Sequence, residues 1–254
     1  MSLDYLIVYE SDTAKRRMGS ENDGGYIIVP NLNYDGFISC GIADDITFEK
    51  EFCSQYPHLT CLAYDGTIDK LPEENTKIIF IKKNIDSYNS NDTTNLLETI
   101  EKYNDIFLKV DIEGFEYQWL NVLTEDHMKK IKQLVIEFHL PFTEPHHMYS
   151  NNSVSVNEKQ EILKKLANTH TLIHLHPNNC CGTSIYNDII VPNVFECTYV
   201  RKDVQFPTRK SKELIPTHLD RPNLDRPEIE LTSYPFVDRP HIKIPNFIHR
   251  FLSL

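Results

Sequence analysis

Residues 106–116, Ile-Phe-Leu-Lys-Val-Asp-Ile-Glu-Gly-Phe-Glu, constrain the fold more than any other stretch of this chain. A short apolar run delivers Asp111, Glu113 and Gly114 into a turn. Phe115, Trp119, Leu120 and Leu123 then recur on one helical face. Open α/β sheets bind ligands beyond the carboxyl ends of their strands. Asp111 and Glu113 are therefore expected where a ligand would sit.

Other segments repeat the strand-then-helix pattern. Apolar runs at 37–40, 60–64, 77–81, 134–139, 171–176 and 196–200 read as strands. Helices are expected over 45–52 (capped by Asp44 or Asp45), from 92 onward through Leu96, Leu97, Ile100 and Tyr103, and over 157–168. Such alternation predicts an α/β fold with a helix-covered, largely parallel sheet. A length of 254 residues fits one such domain with an extension. We divide the chain into an opening segment at 1–36, a domain at 37–202 and a Pro-rich arm at 203–254. Asp-Arg-Pro recurs in the arm at 220–222, 225–227 and 238–240, so extended chain is expected there. Its interspersed Leu219, Leu224, Leu231, Phe236 and Ile248 favour an arm laid on the domain over a disordered tail.

A formal charge of -11 argues against nucleic acid as a partner, because phosphate-tracking surfaces need clustered Lys and Arg. A small neutral or amphipathic molecule fits better. No apolar stretch is long enough for a membrane span and no leader pattern opens the chain, so a cytoplasmic protein is expected. Six cysteines at 40, 53, 61, 180, 181 and 197 form no CxxC pair; free thiols are expected, without structural zinc.

The strand ends carry the chemistry. Gly41 permits close backbone approach ahead of a helix N-terminus, although Ala43 breaks the GxGxxG pattern. Asp65-Gly66, 24 residues on, ends the next strand, where an acid can accept ribose hydroxyls or simply make a turn. Glu137 and His139 alternate by two and share one strand face. Three uses of Asp111, Glu113, Glu137 and His139 stay open: holding a divalent cation, accepting a proton from a substrate hydroxyl, or pairing with Lys109 and backbone groups. His176, Asn178 and Asn179 end a further strand at the same expected edge. His146 and His147 follow in a loop and are either a lid or plain surface.

The segments 37–45, Tyr64-Asp65, 108–116 (LKVDIEGFE) and 135–139 (VIEFH) together resemble the FkbM-type S-adenosylmethionine-dependent O-methyltransferases. The opening Arg17-Met18-Gly19 and Asp23-Gly24-Gly25-Tyr26, with the later Leu219-Asp220-Arg221-Pro222-Asn223, is similar to a related methyltransferase-like branch. The resemblance implies a class I methyltransferase, Rossmann-like sheet of seven strands in order 3-2-1-4-5-7-6 with helices on both faces. It also implies that Gly41 and neighbouring Asp44 lie against the methionine part of S-adenosyl-L-methionine and that Asp65, with Gly66, holds the ribose. Asn84 and Ile85 would flank the adenine, Asp111 would sit beside the methyl donor, and Tyr26 and Asp23 would close the pocket.

The expected reaction is methyl transfer to a hydroxyl of a small molecule or glycan, with His139 or Asp111 as base and Glu113, Glu137 and His176 as positioning groups. A variant places a divalent cation such as Mg on Asp111, Glu137 and Asn178. Two rivals are a nicotinamide-dependent oxidoreductase acting on a nucleotide sugar, and a non-catalytic binding module on the same fold. The arm also offers a route to a homo-oligomer.

Overall fold

The computed structural model describes residues 2–144 and 154–237. His146, His147, the third Asp-Arg-Pro and Ile248 lie outside the described residues. The chain begins with a hairpin, β1 (Arg16–Gly19) and β2 (Gly25–Ile28), turned by Asp23-Gly24. Then follow β3 (Gly36–Cys40), α1 (Thr47–Gln55), β4 (Cys61–Tyr64), β5 (Ile78–Ile81), the short pair β6 (Asn84–Ile85) and β7 (Thr93–Thr94), and α2 (Leu97–Ile100). The second half comprises β8 (Ile106–Val110), α3 (Glu116–Val122), α4 (Glu125–Lys130), β9 (Ile131–His139), α5 (Val156–Thr169) and β10 (His170–Pro177). A hairpin, β11 (Thr183–Tyr186) and β12 (Ile189–Pro192), precedes the last strand, β13 (Val194–Arg201).

Seven strands form one mixed sheet in the order β5-β4-β3-β8-β9-β13-β10. β13 runs antiparallel to both its neighbours and the other pairings are parallel. Side-chain alternation splits each central strand between two cores. Phe37, Phe107 and Val135 face α1 and the N-terminal hairpin, where Phe52 lies 4.2 Å from Phe107, ring centre to ring centre. Ile38, Leu108, Leu134 and Ile136 face the opposite side, covered by Trp119, Met128, Leu163 and Leu166 of α3, α4 and α5. The carboxyl ends of β3, β4 and β8 thus emerge together at the sheet's centre.

Three expectations change. The helix expected from 92 is confined to α2, because Thr93 and Thr94 pair with Asn84 and Ile85 and Leu96 adopts φ 63°. Helix α1 begins later than expected, at Thr47, with Ile46 rather than Asp44 or Asp45 at the cap; Asp45, one residue before it, accepts the Thr47 amide at 2.8 Å. Cys180 and Cys181 are joined by a disulfide, whereas the other four cysteines are free and buried as expected. Their adjacency, useless for stapling distant strands, brings the two sulfurs together within a single turn.

The described part of the arm packs back on the domain. The Ser211 amide donates to the Val8 carbonyl at 2.8 Å, and Ile215 bridges to Leu231. Asp220 accepts from His174 of β10 at 2.7 Å. Among the described residues, no helix is long and apolar enough to cross a membrane.

Candidate active site

The turn after β3 shapes the site. Gly41 has φ 81°, and a Cβ there would fall 1.7 Å from the Asp111 carbonyl oxygen, so only glycine fits between β3 and β8. Its amide donates to the Tyr64 carbonyl at 3.0 Å, and its own carbonyl accepts from Lys109 Nζ at 2.9 Å. Asp65 grips the same turn. Its Oδ2 accepts the Ile42 and Ala43 amides, both at 2.9 Å, and its Oδ1 accepts the Thr67 amide at 2.7 Å and the Thr67 hydroxyl at 2.6 Å. Partial burial opposes its charge, yet these donors hold its pKa below the usual carboxylate value. A carboxylate offers about four lone-pair positions, so Asp65 is already fully engaged by the chain itself.

A cavity of about 610 Å³ opens beyond these strand ends. That is the size of an ordinary small-molecule site. Of the residues expected to bind a cofactor, Tyr26, Gly41, Asp44, Asp65, Asn84, Ile85 and Asp111 all line it, and so do Asp23 and Glu113. Gly66 sits just behind: a Cβ there would meet the Asn84 side chain within 2.4 Å, so the glycine lets Asn84 close against the β4 end.

A cluster of ionisable groups adjoins the cavity at Asp111. One donor atom each from Asp111, Glu137 and His139 lies within 4.8 Å of the others. Asp111 Oδ2 accepts from the Tyr26 hydroxyl at 3.0 Å, while its Oδ1 is buried without a hydrogen-bond partner. Glu137 accepts from Asn178 Nδ2 at 2.7 Å. Burial first, and then the neighbouring Asp111 charge, push the Glu137 pKa well above the usual value. His139 is held at Nδ1 by Glu116, 3.0 Å away, and at Nε2 by Glu113, 3.4 Å away. Burial disfavours its charge, but Glu116 and Glu113 outweigh it and raise its pKa well above the ordinary histidine value. The Glu113-Gly114 turn makes this clamp: Glu113 takes φ 53°, and the Gly114 amide donates to Glu116 Oε1 at 2.9 Å.

His176 belongs to a different network. It lies between Glu196 at 3.2 Å and Glu228 at 3.3 Å. Burial opposes its charge, but the two carboxylates win and its pKa is pushed up to about 10. Glu196 also accepts from Asn223 Nδ2 at 2.7 Å, and the same amide reaches Asp23 at the cavity rim, 3.2 Å away.

Sequence reasoning overlooked Glu116, Glu196 and Asn223, and gave Lys109 only a pairing role. The signal was available for Glu116 and Lys109, since both are charged residues in strongly apolar stretches and need buried partners.

A family model described as "Methyltransferase FkbM domain" matches residues 8–175. No curated protein matches the chain. Among solved structures, "Putative hemolysin from Streptococcus thermophilus" aligns at 10% identity and a TM-score of 0.36, covering 72% of this chain and 74% of that one, and carries no weight here.

Proposed function

Because the chain belongs to the FkbM methyltransferase family, we propose that it transfers the methyl group of S-adenosylmethionine to a hydroxyl, with a sugar or glycan as acceptor. The observation that carries this reading is the cavity at the carboxyl ends of β3, β4 and β8, which runs from Asn84 to half-buried Asp111, with buried Glu137 beside it. An acid-lined cavity suits a cationic nucleoside. The acceptor is the hydroxyl-rich class because the groups around Asp111 are carboxylates and an amide, which accept or share hydrogen bonds with hydroxyls.

The cofactor would supply an electrophilic methyl group on sulfur. The protein must align the acceptor oxygen with it and remove the acceptor's proton. In this reading Asp111 takes that proton, beside Glu137, whose neutral form is favoured by burial and by the neighbouring Asp111 charge. Asn178 fixes Glu137, and Tyr26 fixes Asp111. His139, with both ring nitrogens facing glutamates, acts as a fixed positive charge rather than as the base.

A second reading has one specific observation in its favour, the partnerless buried Asp111 Oδ1. Here a divalent cation would sit on Asp111, Glu137 and His139, with Glu116 fixing the His139 ring. Asn178, also expected as a ligand, donates to Glu137 and accepts the Cys180 amide. Such a cation would polarise the acceptor hydroxyl. EDTA abolishing methyl transfer, with recovery on adding Mg²⁺, is the result this second reading expects.

The main reading is tested by thermal shift with S-adenosylmethionine, S-adenosylhomocysteine, NAD and a UDP-sugar. Binding to the native state raises the melting temperature by mass action. The two adenosyl ligands should do so, and NAD and the UDP-sugar alone should not. A shift with NAD alone would favour an oxidoreductase instead. A shift with the adenosyl ligands but no label transfer to any glycan acceptor would favour a binding module.

A further inference from the structure

The cavity wall presents eight carboxylates and two lysines, Lys83 and Lys109. Such a wall welcomes a sulfonium and an ammonium, but S-adenosylmethionine also carries a carboxylate, which must find positive charge or free N–H groups. The turn after β3 supplies few of the latter. The Ile42 and Ala43 amides are taken by Asp65, and the Thr47 amide that opens α1 is taken by Asp45. Helix N-termini and glycine turns are the usual anion sites of such sheets, and here acidic side chains of the chain itself occupy several of those amides.

The two lysines differ. Lys83 is at the β6 end of the cavity and donates to the Ser90 carbonyl at 2.7 Å and the Thr93 carbonyl at 3.5 Å. Lys109 is at the opposite end, beneath Gly41, with its ammonium 5.5 Å from the centre of the Tyr26 ring. It donates to the Gly41 carbonyl and lies 3.4 Å from Glu49 Oε1, an oxygen already bonded to Ser39 at 2.6 Å. An ammonium has three N–H groups, so this set leaves one for a ligand. Lys109 is deeply buried in a strand otherwise made of Ile, Phe, Leu and Val, with Glu49 as its charged partner and one N–H unspent.

We propose that Lys109 is the carboxylate-recognition residue of the site, binding the amino-acid end of the adenosyl ligand while Asp23 and Asp45 face its ammonium. The proposal rests on the cofactor reading above.

The test compares S-adenosylmethionine with decarboxylated S-adenosylmethionine, which lacks only that carboxylate, by calorimetric titration of the full chain. The wild-type protein should bind the decarboxylated form about 10-fold or more weakly, the worth of one charge-assisted hydrogen bond. K109M alone would strand Glu49 as an uncompensated buried charge, so the informative variant is the neutral pair K109M/E49Q, its fold checked by circular dichroism. In that variant the two ligands should bind equally, at the affinity of the decarboxylated form. E49Q alone should keep the preference. Preference persisting in K109M/E49Q, or absent from the wild-type protein, overturns the Lys109 assignment and leaves the cofactor reading intact. Failure of the wild-type protein to bind either ligand overturns the cofactor reading itself.

Discussion

His170 and His139 are both buried, yet their surroundings drive them in opposite directions. His139 faces two glutamates and is held charged. His170 has only the Ile131 carbonyl at 2.8 Å and the Thr169 hydroxyl at 2.8 Å, and burial lowers its pKa to about 4. The folded state therefore binds fewer protons than the unfolded state between about pH 4 and the unperturbed histidine value near 6.5. Stability from this residue is complete above about pH 6.5 and is lost as pH falls toward 4, by on the order of 3 kcal/mol over the window. Urea midpoints at pH 7 and pH 4.5 should fall further apart for the wild-type protein than for His170→Gln, which has no ring to protonate. Equal pH dependence in both would mean that His170 titrates in the fold as it does in the unfolded chain. At this scale the sequence was readable where the strand period did the work. Glu137 and His139 share a face as their spacing of two requires. It was unreadable where the partner is a backbone amide: nothing in Asp65-Gly66 says that the Asp65 carboxylate will be filled by Ile42, Ala43 and Thr67. Asp65→Ala should consequently lower the melting temperature as well as weaken ligand binding. Loss of binding in that variant alone is therefore no proof of a ribose contact.

Elements bounded by glycine or aspartate were legible, because an apolar run that ends at Gly41, Asp65 or Asp111 can only be a buried strand reaching a turn. Elements decided by pairing were not. The stretch after Asp92 has helical spacing of leucines, but β-branched Thr93 and Thr94 are captured by Asn84 and Ile85. The β11–β12 hairpin escaped notice although Asn187 and Asp188, both at positive φ, are residues that two-residue hairpin turns favour. Strand β8 is the element on which the sheet depends most, since Phe107 contacts Phe37, Phe48, Phe52 and Tyr34 on one face. Phe107→Ala should cost about 3–5 kcal/mol, as cavities left by buried aromatics do. Equilibrium denaturation measures this directly. A cost below about 1 kcal/mol would mean that the aromatic cluster closes over the gap and is less tightly built than its distances indicate.

Across the whole molecule, the arm is joined to the domain through an apolar seam, where Ile215, Leu231, Phe236 and Val237 enter the main core, and to the site through buried polar groups. Asp-Arg-Pro repetition announced an extended segment, but contacts between residues 174 and 220, or 196 and 223, follow from three-dimensional packing that no local pattern encodes. Asp220 is the main anchor. One of its oxygens accepts from His174, and the other accepts the Thr217 amide at 2.6 Å and hydroxyl at 2.9 Å. Burial works against its charge, and the His174 ring beside it and these donors hold its pKa well below the usual carboxylate range. Asp220→Ala removes the acceptor shared by buried His174 and half-buried Thr217 and leaves their donors unmatched, a loss of about 3–5 kcal/mol by analogy with other broken buried pairs. That loss should fall unevenly. Strands β3, β8 and β9 keep every contact they had, so their amides should retain slow hydrogen exchange. Residues 211–231 should exchange faster, although Ser211 on Val8, Asn223 on Glu196 and Glu228 on His176 still tether them. Since Asn223 also reaches Asp23 at the cavity rim, release of the arm should weaken ligand binding without touching a residue that lines the cavity. Uniformly faster exchange across sheet and arm alike would show that the two unfold as one unit and that the arm is an integral part of the core.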